Sequence, residues 1–352
     1  MKKIILAVIL GLLMCGVAVS ADDSQVSRQL DRLETIIYGS ARKGGLLTRL
    51  DTIEKDLYGT GLQGTLAERQ TAHMDFLERG TNGQPSLLFK LSVAEWALEI
   101  PNNGHLPLVE RIPIVEQRLE GSALNDRPLA MRVERINSMV MSDTVSAVPT
   151  NVPAGVVARL QLMQTLRPAD AKKDDVVLFR LTHNILVDGK LVAAVGMPAS
   201  GVITSVKKPR SFGRPSEIKI ELQTLDTLTG IPLQLVEGKS SKEAAEFEVS
   251  YAAAAGTSLV GAIALGPVGL AGGFFIRGNA KDVPEGSIMY AETANPATVP
   301  GYLVPDNLRS LIGENVYVDL TSGEKNKIER PEKPEETGKP APAPVRTEAD
   351  SL

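Results

Sequence analysis

The stretch from Ala252 to Ile276, AAAAGTSLVGAIALGPVGLAGGFFI, carries no ionisable side chain and only Thr257 and Ser258 as polar ones. Water is the wrong solvent for it, and any fold of the chain has to accommodate that. At 1.5 Å rise per residue one continuous helix would run about 37 Å, enough to cross a hydrocarbon core of roughly 30 Å. Gly266-Pro267 falls inside the run. A proline there removes a backbone donor and clashes with the preceding turn, at ~3 kcal/mol in an unbroken helix. Split at that point, neither half crosses a bilayer. A glycine-rich helical hairpin over 241–278, with both ends on one side, fits better. Gly256, Gly261, Gly266, Gly269, Gly272 and Gly273 leave flat faces on which helices approach closely. With Pro267, Phe274 and Phe275 they are the candidate contacts for a membrane or for another copy of the chain. A buried Ala/Gly helix pair inside a soluble domain is the alternative, because alanine and glycine are only mildly apolar.

The rest of the 352 residues is ordinary in composition, 43% hydrophobic and 23% charged, with room for two domains. Aromatics make up 4%, so the core must come from Leu, Val, Ile and Ala. Residues 1–21, with a basic start, an apolar centre and small residues at Ala18, Ser20 and Ala21, read as a secretory signal peptide cut after Ala21. Cys15 is the only cysteine and lies inside it. A processed chain then has no disulfide, thiolate zinc site or cysteine nucleophile. Acylation of Cys15 is the lipoprotein alternative, but Met14 stands where such signals carry a small residue. The net charge of −4, more acidic still once Lys2 and Lys3 are removed, argues against nucleic acid as a partner.

From 22 to 142 the pattern is amphipathic helix, and it repeats. LDRLETIIYG (Leu30–Gly39) aligns with LDTIEKDLYG (Leu50–Gly59), and degraded copies follow at Ile112–Gly121 and Val133–Met141. Apolar residues three and four apart put one stripe on each helix, and each glycine is placed to end one. Such units bury their stripes by stacking, so 22–142 reads as a helical arm. Trp96 reads as core, and His73 and His105 as surface residues. The segment 143–151, within DTVSAVPTNVPA, reads as a linker.

Thereafter the period becomes two. VVARLQL (Val156–Leu162) and IKIEL (Ile218–Leu222) alternate as half-buried strands. Asp188-Gly189 between Ile185–Val187 and Leu191–Ala193 predicts a tight hairpin. VPAG (Val152–Gly155), MPASG (Met197–Gly201) and VPEG (Val283–Gly286) look like three copies of one lead-in turn. The β-domain therefore covers 152–240 and closes over 279–323, after the apolar insertion. The tail, 324–352, is charged and rich in Pro and Ala, a composition that favours disorder.

The span Val152–Thr293 resembles a β-domain of exported bacterial envelope proteins in which a glycine-zipper segment precedes a closing strand. More distantly its strand pattern is similar to the periplasmic β-barrel of the TrbI-like family of conjugation and type IV secretion proteins, which also carries an apolar helical insertion. The helical repeats resemble L-x-x-L-E-x-x-L-[YF]-G arrays of bacterial surface proteins. The resemblance implies a β-barrel fold and an envelope location. This chain departs from the TrbI-like pattern in lacking a retained inner-membrane anchor.

Catalytic signatures fail one by one. GKSS (Gly238–Ser241) has Leu233 where a phosphate loop needs its first glycine. There is no G-x-S-x-G elbow, and His183 reads as a structural histidine near a strand end. The basic loop Lys207–Pro215, with Lys207, Lys208, Arg210 and Arg214, offers a surface to lipid head groups or an anionic wall polymer. The expectation is thus an α+β chain: a helical-repeat segment, then a mainly antiparallel β-barrel or sandwich with an apolar helical hairpin insertion. It is a non-catalytic, exported structural or anchoring protein of the periplasm or outer membrane of a diderm bacterium, without cofactor or metal. It contacts a membrane or a homo-oligomer through 252–276 and another envelope protein or wall polymer elsewhere. A component of a secretion- or conjugation-type outer-membrane ring is the alternative.

Overall fold

The computed structural model describes residues 25–81, 84–207, 216–254, 274–278 and 282–312. The segment 1–21, expected as a signal peptide, most of the apolar insertion, Lys208 to Pro215 and the tail lie outside the described residues. Helices come first, followed by antiparallel sheets that include a closed six-stranded barrel.

The arm is built from α1 (25–38), α2 (Leu46–Tyr58), α3 (Leu66–Met74), α4 (Leu87–Ala97), α5 (Leu108–Glu120) and α6 (Leu129–Val140). Leu30, Leu33 and Ile37 of α1 are wholly buried, and so are their partners twenty residues on, Leu50, Ile53 and Leu57 of α2. In the third unit Gln70, His73 and Leu77 take the same places. Its terminating glycine, Gly80, comes one residue late. A π turn, Asp75–Arg79, absorbs the extra residue, and the Gly80 N–H bonds the Asp75 carbonyl at 2.7 Å. From α4 onward the spacing is twenty-one: Leu87, Leu108 and Leu129 repeat, as do Ala94, Val115 and Ile136. Gly59 shows why these helices end on glycine. Its φ of 80° is left-handed, and a Cβ there would lie 2.9 Å from Pro128 Cγ.

The strands are β1 (Ala147–Val152), β2 (Val157–Leu162), β3 (Val176–Leu181), β4 (Ile185–Val187), β5 (Lys190–Ala193), β6 (Pro198–Lys207), β7 (Ser216–Asp226), β8 (Pro232–Val236), β9 (Phe274–Gly278), β10 (Ile288–Thr293) and β11 (Ala297–Leu303). The barrel runs β6-β3-β2-β10-β8-β7 and closes by pairing β7 with β6. A second sheet, β1-β11-β5-β4, shares its core. Asp188 (φ 48°) and Gly189 (φ 71°) turn the β4–β5 hairpin as expected.

Several expectations are corrected. The stretch 143–151 is not a plain linker: Ala147–Val152 is β1, paired residue for residue with β11. Its Val/Thr content is strand-forming, and Pro149 is tolerated because β1 is an edge. The lead-in turns at Gly155 and Gly286 are real, with φ of 86° and 89°, but Pro198 to Gly201 of MPASG belong to β6. The third such turn is at Gly196 (φ 90°), two residues before β6 begins. Each of the three glycine N–H groups caps the end of a neighbouring strand, at Thr293, Leu181 and Leu162. Phe274 and Phe275, expected in a helical hairpin, instead lie in β9, whose backbone pairs with Ser216–Ile220 of β7.

The helix α4 joins the two halves. Leu87, Leu88, Leu91 and Ala94 belong to the arm's core, while Phe89, Val93 and Trp96 belong to the β core. A helix buried all round reads as mostly apolar, and LLFKLSVAEWA does, its two buried charges, Lys90 and Glu95, being paired with Glu134 and Arg111. Trp96 packs edge-on against Tyr302, as a core residue should.

Candidate functional site

The glutamate of the repeat motif is the arm's organising residue. Glu34, Glu54, Glu95 and Glu116 are buried, and each accepts two hydrogen bonds from one arginine: Arg49, Arg69, Arg111 and Arg132. Every arginine stands four residues past the N-cap of the following helix. Glu34, Glu54 and Glu116 also accept a loop N–H, from Arg42 at 2.6 Å, Leu62 at 2.8 Å and Leu124 at 3.0 Å. At Glu95 the Asn102 side chain replaces that bond at 2.6 Å. Bidentate, fully hydrogen-bonded pairs of this kind can be buried where isolated charges cannot. The α4 segment Leu91-x-x-Ala94-Glu95-x-x-Leu98 is thereby a further copy of the repeat, hidden in the sequence by its apolar residues.

His73 is not a surface residue. It is wholly buried, with Nε2 3.1 Å from Glu54 and Nδ1 3.1 Å from the Tyr58 hydroxyl. Burial lowers its pKa, partly offset by Glu54. The arrangement fits a neutral imidazole donating to Glu54 and accepting from Tyr58. Burial pushes the Glu54 carboxyl up, but Arg69, the Leu62 N–H and His73 outweigh it, and its pKa is lowered. Periodicity misplaced His73 because it fills a position that the other units give to Ile53 and Leu33. His105 is exposed, with Nε2 3.3 Å from the Phe179 carbonyl. His183 follows β3; burial lowers its pKa to about 4, and its Nδ1 is buried without a hydrogen bond.

The base of the apolar insertion is well defined. Helix α7 (Lys239–Ala254) lies on the barrel, with Ala244 and Ala245 packed against Val157, Ile288 and Tyr290. Arg159 donates to both carboxylate oxygens of Glu248 at 3.0 and 2.7 Å, and the Tyr290 hydroxyl donates to the same carboxylate. At the start of α7 the Ser241 N–H bonds the Glu292 carboxylate at 2.7 Å. GKSS therefore presents its helix end to a protein carboxylate, which stands where a phosphate would have to. Gly256, Gly261, Gly266, Pro267, Gly269, Gly272 and Gly273 lie outside the described residues, and so do Lys208, Arg210 and Arg214. Lys207 ends β6, and the basic loop does connect a paired hairpin, β6 to β7.

One cavity between arm and barrel was not foreseen. About 400 Å³ in volume, it is bounded by α1, the π turn, α4, the loop before α5, the start of β6 and the β7–β8 turn. Its cations are committed: Arg32 donates twice to Glu78, at 3.1 and 2.7 Å, and Arg111 is held by Glu95. Asp226 makes no side-chain hydrogen bond or ion pair with a described residue. Burial raises its pKa to about 6, with Arg32 and Arg111 opposing and Glu78 adding to the rise. Simple alternation along β7 would send Asp226 the same way as Ile218, Ile220 and Leu222. A bulge at Gln223 switches the parity, so Leu225 enters the barrel and Asp226 faces the arm. No sequence signal marks that bulge.

Among the described residues no group of three or more His, Cys, Asp or Glu side chains is placed to hold a metal ion. Among the same residues no helix is long and apolar enough to cross a membrane. Set against protein-family models, curated proteins and solved structures, the chain finds no match.

Proposed function

We propose that this chain is an exported, non-catalytic scaffold of a bacterial cell envelope, anchored by its apolar segment 255–273 to a membrane or to copies of itself. One observation carries the reading: both ends of that segment are fixed to the same barrel. On one side α7 is held to β2 and β10 through Glu248, Ala244 and Ala245. On the other, β9 is paired with β7. The segment between these two flanks carries no ionisable side chain, and both flanks are held on the same barrel. That connectivity supports contact from one side over passage through a bilayer, and burial of its aliphatic groups at ~25 cal/mol per Å² supplies several kcal/mol of anchoring. The basic, apolar and small-residue order of 1–21 supports export, and the arm, with its buried charges paired internally, suits a rigid spacer reaching another envelope component. Replacing 255–273 with a short Gly-Ser linker tests the idea by sucrose-gradient fractionation of the native envelope. The expected result is transfer from the membrane to the soluble fraction; unchanged sedimentation overturns the anchor.

A further inference from the structure

The cleft between arm and barrel has the features of a built ligand site, independent of the anchoring role. Its volume of about 400 Å³ lies in the range of roughly 300–1,000 Å³ typical of small-molecule pockets. Its walls alternate aliphatic surface, from Ile36, Leu88, Leu106, Met197 and Leu228, with one carboxylate, Asp226, that no described residue hydrogen-bonds or pairs. Three charged groups act on Asp226: Arg32 from α1, Glu78 from the π turn and Arg111 from α5; Glu95 of α4 holds Arg111, and His105 from the loop before α5 lines the same cleft. Arg32 with Glu78 and Arg111 with Glu95 are neutral pairs. Asp226 is what remains.

We propose that this cleft binds a small organic cation, an alkylammonium ion, with its charge against Asp226 and its methylene stem along the aliphatic wall. An anion is disfavoured because both arginines are already held by carboxylates. A hard metal ion is disfavoured because it needs several oxygen ligands and the cleft has one free carboxylate. A cation on an apolar stem satisfies the carboxylate and covers the wall together.

The test uses the full chain, purified in mild detergent, with cadaverine as the probe and isothermal titration calorimetry at low salt. Cadaverine keeps its charge throughout, whereas Asp226 ionises as pH rises through about 6. Apparent affinity should therefore tighten about ten-fold from pH 5.0 to 7.5, as the competent ionised fraction grows. Asp226→Asn should weaken binding at pH 7.5 by roughly ten-fold or more and flatten the pH profile. His105→Gln should leave the profile standing, and Ile36→Trp, which fills the cleft, should weaken binding at both pH values. Far-ultraviolet circular dichroism verifies that each variant is folded, with Trp96 fluorescence beside it for Asp226→Asn and His105→Gln. Absence of binding to the wild-type chain at millimolar cadaverine overturns the proposal. So does undiminished binding to Asp226→Asn, or a profile abolished by His105→Gln instead. The envelope fractionation reads a different segment, so either idea can fail while the other stands.

Discussion

At the residue scale, the arm depends on four glutamates that could not be buried alone. Glu116 is 1% exposed, and it satisfies the Arg132 guanidinium and the Leu124 N–H at once. Glu116→Ala strands a buried guanidinium and an orphaned backbone donor together, which should cost about 3–5 kcal/mol. Removing both charges with Glu116→Leu and Arg132→Met should cost clearly less than the two single substitutions summed, because no unpaired charge is left behind. Urea unfolding of the two single variants and the double variant gives the coupling. A loss below about 1 kcal/mol in Glu116→Ala would mean that the pair is dispensable and that the apolar stripes alone hold the arm.

At the element scale, the third helix shows how the repeat tolerates an error in its own length. The arm changes its spacing from twenty to twenty-one residues, and the π turn Asp75–Arg79 lies where the change occurs. Deleting Arg79 should restore the shorter spacing, let α3 run as α-helix into the glycine, and leave Leu77 and Glu78 in place. The melting temperature should then move by only a few degrees. Deleting Asp75 instead turns Leu77 about 100° away from the core and should cost ~2–5 kcal/mol, as emptying a buried leucine site does. Comparable losses in both variants would show that the π turn is not the adjuster. Repeats, hairpin and strand alternation were legible in the sequence because they obey periods of 3.6 and 2, and an N-terminal arm before a β-domain follows from where the period changes. The closed barrel was legible only as one of two options. β1, the α4 copy of the repeat, buried His73 and the orientation of Asp226 were not. Each rests on a contact or a one-residue shift that no local pattern records: pairing with a strand at the far end of the domain, an apolar helix shared by two cores, a histidine in an isoleucine's place, and a bulge.

At the scale of the whole molecule, α4 decides whether arm and barrel are two folding units or one. Its Leu87, Leu91 and Ala94 complete the arm's core, while Phe89, Val93 and Trp96 complete the barrel's. Neither core can lose α4 without opening, so the two halves should melt together. The single tryptophan makes this directly measurable. Trp96 fluorescence reports the seam where α4 meets Tyr302, and far-ultraviolet dichroism reports mainly the arm's helices. The two transitions in urea should coincide, and Phe89→Ala, on the barrel side alone, should shift both midpoints equally while costing about 3–5 kcal/mol. If dichroism persists after the fluorescence transition is complete, the arm is an autonomous stack that merely leans on the barrel. The cleft holding Asp226 would then be a gap between two independent bodies, free to widen, and its lone carboxylate would gain solvent instead of a ligand.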